Sequence, residues 1–264
     1  MLRAGILIIG SLYWDDTPIR NAWRRERLAA DRAARVVAPI RYGRQSDKRE
    51  QTFSMVFSTR CYAPDCGLGT GLVVPCVNDV ATADDLVEEA MALWRAEAED
   101  AAADATAADW GAVALLVNPR GAAPASLLGT WRRWYRSQPQ RPQWDRTFDD
   151  PAPMNPDGFL YCHWPVLAGS DEPADFDILL ATPTLPRVLP DDRGYPAGER
   201  IARAWIEHDD GHEAYFFRNV ASGIRTFQDA EIWETLRGCG RPWAEREECR
   251  EAIRILDAER GTAG

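Results

Sequence analysis

The sequence predicts a mixed α+β fold, and three observations carry that prediction. The stretch "GILIIG" near the start is apolar without alternation, which is typical of a central strand buried on both faces. "ADDLVEEAMALWRAEAED" has apolar residues at helical spacing and predicts the clearest helix of the chain. Strand-like and helix-like segments follow one another irregularly, which favours a mixed barrel or sheet over a doubly wound parallel sheet.

The remaining elements of the first half follow from local signals. "TPIRNAWRRERLAA" predicts a helix with Thr17 as N-cap and Pro18 in the first helical position. "ARVVAPIRYGRQS", "TFSMVFS" and "GLGTGLVVPCV" predict three strands, and the second of them alternates apolar with polar residues. "WGAVALLVNP" predicts a strand after the long helix.

The second half opens with a segment of different character. Residues 119–157 are rich in Pro, Arg and Trp and mostly aperiodic, so we interpret them as an irregular excursion with one short helix near Leu127–Tyr135. Order returns with "GFLYCHWPVL" and "FDILLATPTL", followed by the helical "AGERIARAWIEH". "EAYFFRN" is predicted as a strand, and a closing helix begins near Asp229. We expect one domain, residues 1–264, that includes the excursion.

Composition excludes several classes of function. A hydrophobic content of 45% indicates a folded protein with a sizeable core, and a net charge of −10 argues against non-specific nucleic-acid binding. The sequence shows neither a membrane-length apolar run nor a signal-peptide pattern, so we expect a cytoplasmic protein without a membrane partner. In that compartment the six cysteines are expected as thiols. The sequence leaves the oligomeric state open, and a dimer is compatible with it.

Glu97 stands out within the long helix. At about 100° per residue, Leu86, Ala90, Leu93 and Glu97 fall within roughly 60° of each other, so this carboxylate continues an apolar stripe. A carboxylate in apolar surroundings must be paired, or its pKa rises towards the range of a general base. The alternative is that the stripe already meets solvent at this end of the helix.

The order of these segments adds a resemblance. "ILIIGSLYWDD", "VVAPIRYGRQSDKREQTFSMVF" and "ADDLVEEAMALWRAE" resemble the gamma-glutamylcyclotransferase-like family, closest to a bacterial branch with a "Y-G-S-L" turn and a "L-W-x-x-E" helix. The similarity covers residues 5–117 in order and, more loosely, residues 158–238, where "EAYFFRNVASGIRTFQDAEIWETL" resembles the closing segment of that branch.

The resemblance implies a small mixed β-barrel flanked by helices, with a pocket between the first turn and a glutamate. It also implies a reaction in which the α-amino group of a γ-glutamyl substrate attacks its own γ-carbonyl and releases 5-oxoproline. No metal, cofactor or protein nucleophile is needed for that step. On this basis Glu97 is the expected base, and the substrate, a γ-glutamyl amine or peptide, is the expected small-molecule partner. The expected substrate-binding residues are Ile9, Gly10, Ser11, Leu12, Tyr13, Arg44 and Ser46.

Within this set, Ile9 departs from the family pattern. The family has tyrosine before Gly-Ser, and Tyr13 is the nearest tyrosine that could replace it. Two interpretations of the function therefore remain open. The chain is either an enzyme with Glu97 as its base, or a non-catalytic binding or interaction module on the same fold that uses the Arg/Trp-rich excursion to contact a partner.

Other chemical groupings are weaker. His208 and His212 have metal-like spacing, but Gly211 indicates a solvated turn between them. Cys61, Cys66 and Cys76 lack the paired spacing of a zinc site. Cys162 and His163 have the residue types of a nucleophile–base pair. They are adjacent, however, and neighbours in a strand point to opposite faces, which argues against a direct contact. "TWRRWYR" mixes cations with aromatic rings, and the acidic net charge favours a packed surface helix or a protein interface over nucleic-acid binding.

Overall fold

The protein has an α+β architecture built around one mixed sheet. The computed structural model describes residues 1–46, 52–98, 105–144, 150–187, 194–207 and 211–262. The strands are β1 (Ala4–Ile8), β2 (Ala34–Ala38), β3 (Ile40–Gln45), β4 (Phe53–Phe57), β5 (Gly69–Pro75), β6 (Ala107–Ala108), β7 (Gly111–Ala112), β8 (Ala114–Val117) and β9 (Ile178–Ala181).

Helices pack around this sheet. They are α1 (Pro18–Arg27), α2 (Ala83–Glu97), α3 (Ala125–Arg136), α4 (Gly198–Glu207), α5 (Ala214–Ala221), α6 (Asp229–Gly238) and α7 (Glu247–Thr262). Helix α2 packs between α1 and α3, while α4 packs on α6 and α5 on α7.

Strand β1 is central, as its unalternating apolar residues predict. The five-stranded sheet has the order β2-β5-β1-β9-β8, and all five residues of β1 are buried. β1 is antiparallel to β5 and parallel to β9. Because β1 and β9 run in the same direction, the residues that follow them emerge at one edge of the sheet, where ligands commonly bind in α/β folds.

The barrel expected from the resemblance is not confirmed. Among the described residues the sheet stays open, with β2 and β8 at its two edges and β3–β4 as a separate hairpin. Loop backbone covers both edges instead: Val37 of β2 bonds the Val166 carbonyl, and Leu115 of β8 bonds the Gly158 carbonyl. The predicted strand "ARVVAPIRYGRQS" is also divided at Pro39 into β2 and β3.

The strand predicted for "EAYFFRN" is wrong, because these residues form helix α5. The segment buries Tyr215, Phe216, Phe217 and Val220, a helical spacing. A short apolar run does not distinguish a buried strand from a buried helix by itself, and here packing against α7 decides in favour of the helix. "GFLYCHWPVL" likewise forms only isolated bridges.

The excursion is anchored by helix α3. Helix α3 buries Leu127, Trp131 and Tyr135, and the Trp131 indole donates a hydrogen bond to the Gly158 carbonyl at 3.1 Å. Gly158 has φ +84°, and a Cβ there would lie 2.5 Å from the Tyr135 ring, so the contact requires glycine. The exposed Arg132 and Arg136 pair with Asp157. "TWRRWYR" is thus a packed surface helix. In the described ranges, no helix is both long and apolar enough to cross a membrane.

Candidate active site

A cavity of about 850 Å³ opens at the edge of the sheet where β1 and β9 end. Its walls come from the first turn, the end of α2, the β3–β4 hairpin, the chain after β9 and helix α5. Its lining includes Ile9, Gly10, Ser11, Leu12, Asp15, Arg20, Arg44, Ser46, Ser54, Met55, Trp94, Glu97, Trp110, Pro139, Gln140, Thr182, Thr184 and Tyr215.

The first turn closes on itself immediately after β1. The Gly10 carbonyl accepts the Tyr13 N–H, and the Ser11 carbonyl accepts the N–H groups of Trp14 and Asp15. Within the described residues, no group accepts a hydrogen bond from the N–H of Ser11 or Leu12. The turn therefore brings two backbone donors to the cavity wall, an arrangement suited to a carboxylate or a developing oxyanion.

Arg20 connects this turn to helix α2. The side chain is buried, and its Nη1 donates to Ser11 Oγ at 3.0 Å and to Asp15 Oδ2 at 2.7 Å. Its Nε donates to the Ala96 carbonyl oxygen at 2.9 Å, one residue before Glu97. The planar guanidinium group thus fixes the position of the first turn relative to the end of α2, because its donors have fixed directions.

Glu97 lies at the last residue of α2, half-buried in the cavity wall. Leu86, Ala90 and Leu93 of the stripe are fully buried, as the spacing predicts. The Glu97 Oε2 accepts a hydrogen bond from Thr182 Oγ1 at 3.5 Å. Thr182 directly follows β9, so the parallel pairing of β9 with β1 brings this partner to the same edge as the first turn.

Tyr215 of α5 also lies against the first turn. A Cβ built on Gly10 would lie 2.6 Å from the Tyr215 hydroxyl oxygen, so a larger residue at this position requires that hydroxyl to move. The same oxygen accepts the Met55 N–H at 3.3 Å. The ring packs edge-on against Trp14. A phenol therefore faces the turn from a segment distant in sequence.

Arg44 contributes a second cation to the cavity. A register shift between Tyr42 and Arg44 interrupts the β3–β4 pairing, and the Arg44 Nη1 then donates to the Leu185 carbonyl at 2.8 Å. Its guanidinium carbon lies 5.6 Å from the centre of the Trp110 ring. Trp110 stacks on the buried Trp94 with centroids 4.9 Å apart, so this wall is both aromatic and cationic.

The structure brings seven of the eight predicted site residues to one cavity. Ile9, Gly10, Ser11, Leu12, Arg44, Ser46 and Glu97 all line it. Tyr13 is the exception: it is partly buried against the hydrophobic core and does not line the cavity. The chain turns at Gly10–Tyr13, so a residue three positions on leaves in another direction.

Sequence reasoning missed Arg20, Thr182 and Tyr215. Arg20 shares a face of α1 with the buried Trp23, three residues later, and an arginine on an apolar face is the one available signal. Tyr215 was missed because its segment, "EAYFFRN", was predicted as a strand. The excursion contributes Pro139 and Gln140 to the cavity wall, and nothing in its aperiodic sequence indicates that position.

The competing groupings give no catalytic centre in the described part of the chain. No cluster of three or more His, Cys, Asp or Glu there could hold a metal ion. His208 lies outside the described residues. Cys162 is partly buried near Tyr62, and burial raises the pKa of its thiol to about 12, which disfavours a nucleophilic thiolate.

Comparison with protein-family models, with curated proteins and with solved structures gives no significant match.

Proposed function

We propose that this protein is a gamma-glutamylcyclotransferase-like enzyme. It cleaves a γ-glutamyl or related amide by intramolecular aminolysis, releases 5-oxoproline and uses Glu97 as its general base. The observation that carries the proposal is one cavity lined by both the Glu97 carboxylate and the Gly10-Ser11-Leu12 turn. The finer fold assignment, to the fold of that family, belongs to the same proposal.

The cavity provides the groups that the reaction needs. An α-ammonium group must lose a proton before it attacks, and a half-buried carboxylate suits that step. The flexible glutamyl chain must curl so that its nitrogen meets its own γ-carbonyl carbon, which a pocket favours by restricting the chain. The negative charge that develops on the carbonyl oxygen needs donors, and the N–H groups of Ser11 and Leu12 are available for it.

The steps balance without another reactant. Glu97 takes a proton from the α-ammonium group, and the free amine attacks the γ-carbonyl carbon to form a new C–N bond in a five-membered ring. The tetrahedral intermediate collapses and the original amide C–N bond breaks. The leaving nitrogen takes two protons through Glu97, the one removed from the α-ammonium group and the second proton of the ring nitrogen. The products are 5-oxoproline and the amine in its ammonium form, and the carboxylate is regenerated.

The size and charge of the cavity agree with a small polar substrate. A volume of about 850 Å³ lies within the usual range for small-molecule sites and exceeds the needs of a γ-glutamyl group alone. The remaining space faces Trp110 and Arg44, so we assign the amine part of the substrate to that side. The α-carboxylate is assigned to the Ser11 hydroxyl, beside the ion pair of Arg20 with Asp15, so that the N–H groups of Ser11 and Leu12 serve the γ-carbonyl oxygen.

The test is a screen of γ-glutamyl amines and peptides for 5-oxoproline release with wild-type protein, Glu97→Gln and Glu88→Gln. Glu97→Gln keeps the size of the side chain and removes its basicity, so we expect activity to fall by about 10²–10⁴-fold. Glu88→Gln makes the same chemical change at an exposed position of the same helix and should retain wild-type activity. Retention of activity in Glu97→Gln would exclude Glu97 as the base.

The binding-module alternative predicts a different result from the same samples. Wild-type protein would bind γ-glutamyl ligands, measured by calorimetry, and release no 5-oxoproline from any of them. That outcome would reject the enzyme and keep the cavity as a ligand site.

A further inference from the structure

Two cysteines that have no role in the proposed reaction lie in contact with each other. The Sγ atoms of Cys61 and Cys66 are 3.4 Å apart, and both residues are free thiols. A disulfide bond has a length of about 2.05 Å, so the two sulfur atoms would need to approach by roughly 1.4 Å. Rotation about the Cα–Cβ bonds provides movement of that size.

The local chain explains why they meet. Residues Thr59–Tyr62 form a single 3-10 turn, and a second turn follows in which the Cys66 N–H bonds the Ala63 carbonyl. The two turns fold the intervening residues back, so that side chains five positions apart face each other. Cys61 Sγ also lies 3.7 Å from the carbonyl oxygen of Ile40, the first residue of β3.

The two thiols have different surroundings. Cys61 is buried, and burial raises the pKa of its thiol above the ordinary value. Cys66 is partly exposed, and the Arg41 Nη1 lies 3.9 Å from its sulfur atom. Arg41 is itself held over the Tyr195 ring at 4.1 Å. The sulfur atom of Cys66 therefore faces a cation that is held in place, an arrangement typical of reactive cysteines.

We propose that Cys61 and Cys66 form a peroxide-oxidisable dithiol, in which Cys66 reacts first and Cys61 resolves it to an intramolecular disulfide. The exposure of Cys66 and its neighbouring guanidinium assign it the first step. The buried position of Cys61, in contact with Cys66, assigns it the second.

The chemistry needs one hydroperoxide per pair. The Cys66 thiolate attacks a peroxide oxygen, the O–O bond breaks, and the leaving hydroxide is protonated to water. The product is a sulfenic acid on Cys66. The Cys61 sulfur then attacks the Cys66 sulfur, the S–O bond breaks, and the hydroxide leaves as water with the Cys61 proton. Two thiols and one peroxide give one disulfide and two waters.

A metal site is the competing interpretation of two adjacent thiols. The guanidinium group of Arg41 beside Cys66 opposes a bound cation, and no third ligand joins the pair among the described residues. The geometry favours oxidation over metal binding.

The experiment treats the reduced protein, residues 1–264, with hydrogen peroxide and maps the disulfide under non-reducing conditions. Trypsin releases residues 61–95 as one peptide, which contains Cys61, Cys66 and Cys76. Cleavage before Asp65 separates Cys61 from the other two, so a surviving link proves a bond from Cys61. The Cys76→Ser variant then assigns that bond to Cys66.

We expect the two fragments to stay joined in wild-type protein and in Cys76→Ser, and to separate after treatment with dithiothreitol. Cys61→Ser should accumulate a sulfenic acid on Cys66 that dimedone traps. Cys66→Ser should oxidise at Cys61 at least roughly tenfold more slowly. Cys239→Ser, which changes a partly exposed cysteine outside the pair, should behave as wild type.

Two results would overturn the proposal. One is separation of the fragments in oxidised wild-type protein, which requires no variant to fold. The other is oxidation of Cys61 at the wild-type rate in Cys66→Ser, which would remove the assigned order of reaction. Both readouts are independent of any catalytic activity.

Discussion

At Gly10 the absence of a side chain is set by one atom, the hydroxyl oxygen of Tyr215. A Cβ would lie 2.6 Å from that oxygen, whereas the next ring atom, Cζ, would be 3.6 Å away. The clash therefore belongs to the hydroxyl group alone. The sequence analysis assigned Gly10 to substrate binding, and the structure adds a protein group, the Tyr215 hydroxyl, beside it.

This geometry predicts rescue by a second substitution. Gly10→Ala should lower the free energy of unfolding by about 1–3 kcal/mol through overpacking. Tyr215→Phe alone removes the hydrogen bond from Met55, worth about 1 kcal/mol. In the double variant the alanine methyl group fits beside the phenylalanine ring. The double variant should therefore lose less unfolding free energy than the two single variants added together, by about 1 kcal/mol. Urea unfolding of the four proteins measures this coupling, and strict additivity would contradict the contact.

Arg20 acts on the candidate site through other residues. It donates to Ser11, Asp15 and the Ala96 carbonyl, so it holds the turn against the end of α2. A lysine keeps the charge but cannot make these bonds in the same directions. We classify it as a positioning residue for Glu97.

We expect Arg20→Lys to lower kcat for 5-oxoproline release by about 10–100-fold, because small displacements of a catalytic group are costly. The unfolding free energy should also fall by about 1–3 kcal/mol. Arg25→Lys, the same exchange at an exposed position of α1, is the control. It should change kcat and the unfolding free energy only slightly. A variant that loses stability while keeping wild-type kcat would leave Arg20 a purely structural role.

Among the elements, helix α2 matters most because Glu97 is its last residue. Its start is defined by a capping box in which Thr82 Oγ1 accepts the Asp85 N–H at 3.2 Å and the Asp85 carboxylate accepts the Thr82 N–H at 2.8 Å. Together with the buried stripe, this cap explains why the helix forms as its sequence predicts.

Loss of the cap should be measurable. Thr82→Ala should reduce the unfolding free energy by about 1 kcal/mol. Backbone hydrogen bonds from Thr82 and Ala81 lower the pKa of the Asp85 carboxyl below its ordinary value. Because the folded-state pKa is the lower one, the ionised Asp85 stabilises the helix above its unfolded pKa, and this contribution is lost as the pH falls through the folded pKa.

The difference in stability between wild-type protein and Asp85→Asn should therefore be present at neutral pH and disappear in acid, below the ordinary carboxyl pKa of about 4. Thermal unfolding across that range tests it. A difference that grows towards low pH would mean that the carboxylate is not a cap.

The C-terminal helices are connected to the sheet through Arg225. Its backbone pairs with Thr70 of β5, and its side chain bonds Asp229 of α6 at 2.7 Å and Glu259 of α7 at 2.7 Å. Asp229 is fully buried, and burial raises the pKa of its carboxyl against the opposing effect of Arg225. One guanidinium group thus joins three parts of the molecule.

At the scale of the whole molecule, the two carboxylates that pair with Arg225, those of Asp229 and Glu259, should contribute unequally to the free energy of unfolding. Asp229→Ala removes the buried partner and should cost about 3 kcal/mol of unfolding free energy. Glu259→Ala removes the half-exposed partner, 56% exposed, and should cost less than about 1 kcal/mol. Equal losses in urea unfolding would contradict the assignment of burial as the deciding factor.

By itself, the sequence determined the type of those elements that carry a long apolar pattern, either continuous or at helical spacing. The unalternating run of β1 and the capped, striped helix α2 were predicted with their correct type, and the stripe singled out Glu97. The local pattern is sufficient there because burial on one face or on both repeats at a fixed period over many residues.

Tertiary structure decided the rest. Packing turned "EAYFFRN" into α5 and left the sheet open. It also brought Thr182 and Tyr215 to the cavity lined by a turn about 170 and 200 residues earlier, and directed Arg20 to both walls of that cavity. Contacts between segments so distant in sequence leave no periodic signal, because they depend on the pairing of β1 with β9 and on the helices that pack around that sheet.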